Sequence, residues 1–258
     1  MHIQGMFSLA GKSAVVIGGT GRFGLPMSQA LAEAGARVTL ASTNASTGTK
    51  VARSLTQSGL DVQWVELDQS DEKSVLSSVK QLNFHAKVDV LVNCGVTRPM
   101  TRYMNDTVDH WDDSMNANAR GIFLTCRAFG HAMAEQGGGS IINVASIYGL
   151  VAPNPNFYEG TSAGVGPDYP FSKGGMIQLS KYFASYLGPK KVRVNCIAPG
   201  GLFNDQKEPF LSRYLARVPL GRMAAPEDLK GIAVFLASDA SSYVTGTVVP
   251  VDGGFTST

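Results

Sequence analysis

The tyrosine at position 169 stands four residues before a lysine, in the stretch Tyr169-Pro-Phe-Ser-Lys173. Apolar residues then recur at helical spacing, which predicts that both side chains lie on one face of a helix. A free phenol has a pKa of about 10, and a nearby ammonium favours its ionised form. The pair could therefore act as a general acid or base. A tyrosine and a lysine at this spacing also occur by chance in ordinary helices, so the interpretation depends on the rest of the chain.

A glycine-rich segment supplies the first supporting feature. It follows a short apolar run, residues 13–17, and contains Gly18, Gly21 and Gly24, with Arg22 and Phe23 between the last two. A helical pattern and a second strand, residues 37–42, come next. Glycines let the backbone approach a pyrophosphate, whose charge is favoured by the free amides at a helix start. In this strand-turn-helix-strand context the segment predicts a dinucleotide-binding unit.

The end of the second strand bears on the choice of nucleotide. Many NAD-binding folds carry an acidic residue there, whereas this chain has Ser42-Thr43-Asn44. Without a carboxylate a 2′-phosphate is not repelled, and Arg22, Lys50 or Arg53 could approach it. The sequence therefore favours NADP. NAD stays open as the alternative, because a neutral turn serves it equally well.

Apolar runs and helical patterns alternate regularly along the chain. Strands are predicted at residues 13–17, 37–42, 62–67, 88–92, 140–145, 191–197 and 247–251. This alternation predicts an α/β fold of the Rossmann type, a doubly wound parallel sheet with helices on both faces. Its ligands are expected at the carboxyl ends of the strands. We expect one domain over residues 1–258, with a substrate loop at 147–167 and a lid at 202–219.

Several polar residues stand where such a site would form. Asp68 and Asn93 end two predicted strands and could bind a cofactor or cap turns. A long helix is predicted at residues 109–135, and Asn116 and Asn118 inside it either bend the helix or use their side chains. Ser146 follows a buried strand without any hydrolase motif, so we expect it to donate or accept hydrogen bonds.

Composition argues against several other functions. The net charge is +2, and the basic residues are scattered, which disfavours nucleic-acid binding. No run approaches the length of a membrane span, and the amino terminus lacks a signal-peptide pattern. Three widely spaced cysteines suggest reduced thiols and a cytoplasmic location. The four histidines have no ligand spacing, so no metal site is expected.

Together these residues resemble the short-chain dehydrogenase/reductase family over nearly the whole chain. Asn118, Ser146, Tyr169 and Lys173 match its catalytic tetrad. The resemblance implies a nicotinamide cofactor bound by these residues: Gly18, Gly21, Arg22, Phe23, Gly24, Ser42, Thr43, Asp68, Gln69, Asn93, Gly95, Tyr169, Lys173, Pro199 and Gly200. The glycine spacing looks like that of the family's extended members, with Arg22 where short members usually carry their middle glycine.

Other positions depart from the family pattern. Asn93-Cys94-Gly95 is similar to the family's Asn-Asn-Ala-Gly element shortened by one residue. Asn204 stands where a threonine is usual. The interval between Ser146 and Tyr169 is longer than usual and contains Tyr148, Tyr158 and Glu159, which contact substrate or simply pack on the surface.

The family resemblance also implies a reaction. Tyr169 would exchange a proton with the substrate oxygen, Ser146 would hold that oxygen, Lys173 would bind the ribose and stabilise the phenolate, and Asn118 would anchor a relay water. The expected function is the interconversion of a carbonyl and a secondary alcohol on a small molecule, a sugar or polyol derivative. A 3-oxoacyl thioester reductase and a non-catalytic nucleotide-binding regulator are the alternatives. A homotetramer or dimer, joined through the long helices, is implied too.

Overall fold

Seven parallel strands form one sheet in the computed structural model, which describes residues 2–85, 87–102, 105–161 and 164–257. The strands are β1 (Ser13–Ile17), β2 (Arg37–Ser42), β3 (Val62–Glu66), β4 (Val90–Asn93), β5 (Gly139–Val144), β6 (Val192–Pro199) and β7 (Val248–Val251). Their order across the sheet is β3-β2-β1-β4-β5-β6-β7. The predicted doubly wound parallel sheet is therefore confirmed.

The helices cover both faces of this sheet. They are α1 (Ile3–Met6), α2 (Gly24–Glu33), α3 (Ala45–Gln57), α4 (Glu72–His85), α5 (Val108–Met115), α6 (Gly121–Glu135), α7 (Asp168–Leu187), α8 (Phe210–Leu215) and α9 (Lys230–Ala237). α2, α3 and α9 contribute to the apolar core on one face, and α4, α6 and α7 contribute to the core on the other. None of the described helices combines the length and the apolar content that crossing a membrane requires.

Burial on both faces explains the composition of the strands. All four residues of β4 are buried, and so are the last five residues of β5. A strand covered by helices on both sides has no solvated face, so its sequence is a continuous apolar run rather than an alternating one. Such runs are what marked the strands in the sequence.

The structure divides the helix predicted at residues 109–135 into two. α5 ends at Met115, residues Asn116–Arg120 form a π-helical turn, and α6 begins at Gly121. A π-turn inserts one extra residue into the helical path and often accompanies a functional site. Asn118 lies within this turn.

Smaller differences from the predicted boundaries have local causes. β6 continues to Pro199, beyond the predicted end at residue 197, because its last residues pair with β7 as far as Pro199 opposite Val251. The helix predicted at 226–237 begins as a 3-10 turn, Pro226–Leu229, and continues as α9. The four-residue α1 has no apolar periodicity and was not predicted.

The sheet creates a crevice where its winding reverses. β1 pairs with β2 on one side and β4 on the other, so that Ile17 lies opposite both Ala41 and Asn93. The connections that leave the two neighbouring strands run to opposite faces, which opens space beyond their carboxyl ends. The loops after β5 and β6 meet above this crevice in a third apolar cluster, which includes Tyr148, Phe157, Tyr158, Tyr214 and Phe255.

Asp228 fixes the start of the last helical segment. Its carboxylate accepts hydrogen bonds from the Ala225 amide at 2.7 Å and from Arg222 Nη1 and Nη2 at 2.6 and 2.8 Å. The bond from the Arg222 guanidinium, helped by the Ala225 amide, lowers the pKa of Asp228 to about 2. The ionised carboxylate is therefore the form that the fold stabilises.

We predict that Asp228→Asn lowers the free energy of unfolding by about 1 kcal/mol near neutral pH. The folded pKa of about 2 lies below the unfolded value of about 3.9, so this contribution is complete above about pH 4 and is lost as the pH falls through about 2. Urea unfolding of both proteins between about pH 7 and pH 2.5 measures it. Asp61→Asn, in an exposed ion pair with Arg37, is the control and should change little. A stability difference that does not depend on pH would contradict the prediction.

Candidate active site

Tyr169 and Lys173 lie one turn apart on α7 and line the same cavity. The Lys173 Nζ atom is 5.7 Å from the centre of the Tyr169 ring. Within the described part of the chain, the Tyr169 hydroxyl makes no hydrogen bond. It is therefore available to a ligand in the cavity.

Lys173 is a buried cation, with 3% of its surface exposed. Its Nζ atom donates a hydrogen bond of 2.7 Å to the carbonyl oxygen of Val144, which ties α7 to the end of β5. An ammonium has three donors, and Val144 is its only acceptor among the described residues. Because a buried charge is costly unless its hydrogen bonds are made, this geometry suits a ligand whose hydroxyl groups complete them.

Ser146 follows β5 directly and is 5% exposed. Its Oγ atom accepts a hydrogen bond from the Tyr148 amide at 3.1 Å, while its own proton has no acceptor in the described ranges. The hydroxyl can thus donate to a substrate oxygen. Gly149 lets this loop press against α7, since a Cβ there would lie 2.8 Å from the backbone carbon of Lys173. Ser146 lines the same cavity as Tyr169 and Lys173.

Asn118 is buried beneath the cavity and does not line it. Its Nδ2 atom donates to the Thr97 carbonyl at 2.7 Å, and its Oδ1 atom accepts from the Thr97 amide at 2.9 Å. Nδ2 also donates to Ser114 Oγ at 3.0 Å. The side chain at the π-turn therefore holds the loop that follows β4.

Asp168 extends this network and was missed in the sequence. Ser114 Oγ donates to Asp168 Oδ2 at 2.5 Å, and Asp168 is only 1% exposed. Its other oxygen has no hydrogen-bond partner among the described residues. An acidic residue in the first turn of a helix is ordinary. The sequence therefore held no signal that Asp168, next to Tyr169, is connected to Asn118.

Arg98 is the second residue that the sequence analysis missed. Its guanidinium carbon lies 4.3 Å from the centre of the Tyr169 ring, in a cation–π arrangement. The side chain is exposed, lines the cavity, and has no carboxylate partner among the described residues. Arg98 directly follows Thr97, whose backbone Asn118 holds. No motif marks Arg98, because its position depends on contacts between distant segments.

The cavity has a volume of about 1170 Å³. Small-ligand pockets commonly measure about 300–1,000 Å³, so this one has room for a dinucleotide together with a substrate. The predicted residues that line it are Gly18, Gly21, Arg22, Phe23, Ser42, Thr43, Asp68, Gln69, Gly95, Ser146, Tyr169, Lys173, Pro199 and Gly200. Gly24, Asn93 and Asn118 lie behind the lining.

The glycine segment makes a cradle without side chains. Gly18 has a φ of +73°, and a Cβ there would lie 2.7 Å from the Gly95 amide nitrogen. A Cβ at Gly24 would lie 2.1 Å from the Gly18 carbonyl oxygen. The turn therefore folds tightly against the end of β4 just before α2 begins, and this fits the pyrophosphate of a nicotinamide dinucleotide.

At the end of β2, Ser42 and Thr43 line the cavity and contribute no carboxylate. Ser42 Oγ accepts a hydrogen bond from Trp64 Nε1 at 3.0 Å. Of the three cations that the sequence suggested for a 2′-phosphate, Arg22 lines this cavity. Lys50 and Arg53 instead border a separate shallow groove along α3.

Asp68 and Gln69 follow β3 and have different partners. Asp68 Oδ1 accepts from the amide and hydroxyl of Ser70 at 2.9 and 2.6 Å, so it caps a turn. Gln69 Nε2 donates to the carbonyls of Ala117 and Gly95 at 2.8 and 3.3 Å. Gln69 thereby joins the π-turn to the loop after β4, and a Cβ at Gly95 would lie only 2.3 Å from Gln69 Oε1.

The structure places the Asn93 side chain in the core rather than in the cavity. Asn93 Nδ2 donates to Asn143 Oδ1 on β5 at 2.7 Å, and Asn143 Nδ2 donates to Ser180 Oγ on α7 at 2.7 Å. These buried bonds connect β4, β5 and α7. Asn93 thus supports the elements that carry Ser146 and Tyr169.

Segments after β6 form the far wall. Pro199 and Gly200 line the cavity, and the Gly201 amide donates to the Tyr214 hydroxyl on α8 at 2.6 Å. Burial raises the pKa of Tyr214 to about 12, so the hydroxyl stays protonated. The Phe157 ring packs edge-on against Tyr214, with 6.1 Å between ring centres, which joins this wall to the loop after β5.

Two tyrosines of the long loop face the cavity, whereas Glu159 does not line it. The hydroxyls of Tyr148 and Tyr158 are 2.8 Å apart. Burial, reinforced by Tyr158, raises the pKa of Tyr148, so that phenol is neutral. Arg213 Nη1 donates to the carbonyl of Glu159 at 2.6 Å, which links α8 to this loop.

All three cysteines are free thiols. Cys94 lines the cavity beside Gly95. Burial raises the pKa of the Cys94 thiol to about 11, that of Cys126 to about 12 and that of Cys196 to about 11. They are therefore neutral and poorly nucleophilic at physiological pH.

Fold and site together define a dinucleotide-dependent oxidoreductase, with a glycine cradle at the switch point beside a Tyr-Lys-Ser group. The profile of the family described as "Enoyl-(Acyl carrier protein) reductase" matches residues 23–256. The chain belongs to the short-chain dehydrogenase/reductase family and is an NAD(P)-dependent oxidoreductase.

Named relatives align over nearly the whole chain. A 3-oxoacyl-acyl-carrier-protein reductase of Chlamydia pneumoniae is 35% identical over 255 residues, covering 96% of this chain and 98% of its own. Galactitol 2-dehydrogenase of Cereibacter sphaeroides is 31% identical over 263 residues, covering 99% of each chain. Among solved structures, a gluconate 5-dehydrogenase from Burkholderia cenocepacia, in complex with NADP and tartrate, has a TM-score of 0.90 and 27% identity over 100% of both chains.

A matched pair of glycine substitutions tests the cradle. Gly18→Ala and Gly11→Ala both place a side chain at positive φ, +73° and +77°, but only the Cβ at Gly18 has neighbours within 4 Å. We predict that Gly11→Ala costs about 1–2 kcal/mol of unfolding free energy from backbone strain alone and leaves NADPH binding intact. Gly18→Ala should cost more and weaken NADPH binding at least about tenfold, because β1 and β4 must separate.

Urea unfolding and calorimetric titration with NADPH measure the two effects. Equal stability losses, or unchanged affinity in Gly18→Ala, would show that the turn does not make the cradle.

Proposed function

We propose that this enzyme interconverts a secondary alcohol and a carbonyl on a polyhydroxylated acid, with NADP as its preferred cofactor. The proposed substrate class rests on the position of Arg98, whose guanidinium lies over the Tyr169 ring within the cavity. A sugar or polyol derivative that bears a carboxylate would reach both residues.

The catalytic roles follow from the groups that have hydrogen-bonding capacity to spare. Tyr169 exchanges a proton with the substrate oxygen through its hydroxyl. Ser146 donates its free proton to the same oxygen. Lys173, held by Val144, offers two further donors to ribose hydroxyls. The nicotinamide, when bound, supplies or accepts the hydride.

Asn118 acts by positioning in this proposal. It fixes the backbone of Thr97 and hence the direction in which Arg98 leaves the loop. The same amide reaches Asp168 through Ser114, so the residues on both sides of the Tyr169–Arg98 contact belong to one hydrogen-bonded network.

A carboxylate is the group that best fits Arg98. The guanidinium is exposed to the cavity without an acidic partner among the described residues, and its planar set of donors matches a carboxylate. The hydroxyls of Tyr148 and Tyr158 line the same cavity and suit substrate hydroxyl groups. The gluconate 5-dehydrogenase that resembles this chain was solved with tartrate, which is also a hydroxy acid.

The preference for NADP rests on the end of β2. Ser42 and Thr43 offer no charge that would repel a 2′-phosphate, and Arg22 lines the same cavity. Two solved structures that resemble this chain contain NADP.

Reduction of a 3-oxoacyl thioester is the second candidate. It is favoured by the relatives at 35% and 36% identity that are named 3-oxoacyl-acyl-carrier-protein reductases. Such a substrate needs no cation beside Tyr169, so the two candidates differ in their dependence on Arg98.

Two structural proposals accompany this function. Residues 147–167 form the substrate loop, of which residues 162 and 163 lie outside the described ranges, and residues 202–219 form the lid. Assembly into a dimer or tetramer through α6 and α7 is supported by exposed aromatic side chains there, Phe123, Phe171, Tyr182 and Tyr186.

Two polyhydroxylated substrates, one with a carboxylate and one without, test the role of Arg98. We predict oxidation of gluconate with a kcat/KM at least about tenfold above that for galactitol, and faster with NADP than with NAD. Arg98→Gln should lower kcat/KM for gluconate about 10- to 100-fold, mainly through KM, because a charge-assisted hydrogen bond is lost. The value for galactitol should change by less than about threefold, and Arg98→Lys should restore part of the gluconate activity.

Absorbance of the reduced nicotinamide follows all of these reactions, and reduction of acetoacetyl coenzyme A serves as the comparison. Equal losses for acid and polyol would mean that Arg98 acts on Tyr169 rather than on a carboxylate. Preferential turnover of the thioester would favour the second candidate.

A further inference from the structure

The two departures from the family pattern that flank the cofactor groove contact each other. With the Asn204 amide oriented so that its oxygen faces Arg22, Oδ1 accepts hydrogen bonds from Nη1 at 3.0 Å and Nη2 at 3.1 Å. Arg22 belongs to the glycine segment between β1 and α2, and Asn204 belongs to the segment after β6. One bifurcated contact thus joins the two walls.

The segment that carries Asn204 has a fixed base. The Gly201 amide is bound by Tyr214, and the Phe203 amide donates to the carbonyl of Ala224 at 2.9 Å. Its tip is held as well. The backbone amide of Asn204 donates to Gln206 Oε1 at 2.6 Å, and Gln206 Nε2 donates to the Leu202 carbonyl at 2.8 Å. The tip therefore presents Asn204 to Arg22 as a preformed acceptor.

This contact joins segments that border the cavity from two sides. Arg22 lines the cavity from the cradle side, and Leu202 and Gln206 line it from the other. A bond between these walls must open when a dinucleotide passes between them. Both partners are exposed, so the bond is weak enough to break and re-form readily.

We propose that Arg22 and Asn204 form a clasp that gates the entry and release of the dinucleotide. Arg22 stands where short members of the family usually have a glycine, which has no side-chain donor, and Asn204 stands where they usually have a threonine, whose side chain is shorter. Arg22 has five donors, so closing the clasp leaves others for a phosphate. The clasp acts on the rate of nucleotide exchange, whatever substrate the enzyme oxidises.

Stopped-flow fluorescence with NADPH tests the gate, with no substrate present. Asn204→Ala should raise both the association and the dissociation rate constants about three- to tenfold, because one modest bond no longer has to break first. The dissociation constant should change by less than about threefold. In an Arg22→Ala background, adding Asn204→Ala should change neither rate constant, since the clasp is already absent.

Asn156→Ala is the matched control. Asn156 is an exposed asparagine of the loop after β5, and its side chain makes no hydrogen bond among the described residues, so its removal should leave both rates unaltered. The proposal is overturned if Asn204→Ala alters neither rate constant or raises dissociation alone. It is equally overturned if the effect of Asn204→Ala is the same with and without Arg22. Equal melting temperatures of all variants establish that the fold is intact.

Discussion

The hydrogen bond from the buried Lys173 ammonium to the carbonyl of Val144 is the constraint on which the site depends. It fixes α7 against the end of β5, and Ser146 leaves that strand just beyond Val144. The position of Tyr169, one turn earlier on the same helix, follows from the same anchor. A buried ammonium with two donors left over is costly, and the fold tolerates it because the cavity admits a ligand rich in hydroxyl groups.

A second network sets the surroundings of Tyr169. It starts at Asp168, passes through Ser114 and Asn118 to the backbone of Thr97, and returns through Arg98 to the Tyr169 ring. The π-turn at residues 116–120 delivers Asn118 to this path, so an irregular helix is part of the site's construction. One continuous set of contacts thus positions both Tyr169 and Arg98.

The fold was predictable because its signals are local. β1 and β2 have the predicted bounds, since each is an apolar run that ends at a turn, and the glycine cradle is set by backbone geometry. The contacts of Asp168, Arg98 and Asn204 were not predictable. Each joins segments far apart in the chain, and neither residue type nor spacing records them. Asn93 lies in a segment that resembles a family motif, but the motif does not reveal that its side chain points into the core.

Replacement of Tyr169 by phenylalanine tests the central claim most directly. The account predicts that Tyr169→Phe loses turnover at least about a thousandfold while its NADPH affinity stays within about threefold, because only the hydroxyl exchanges the proton. Tyr243→Phe, at a fully exposed tyrosine that does not line the cavity, should behave like the unmodified enzyme. Turnover that survived in Tyr169→Phe would contradict the assignment of the proton-transferring group and with it the mechanism.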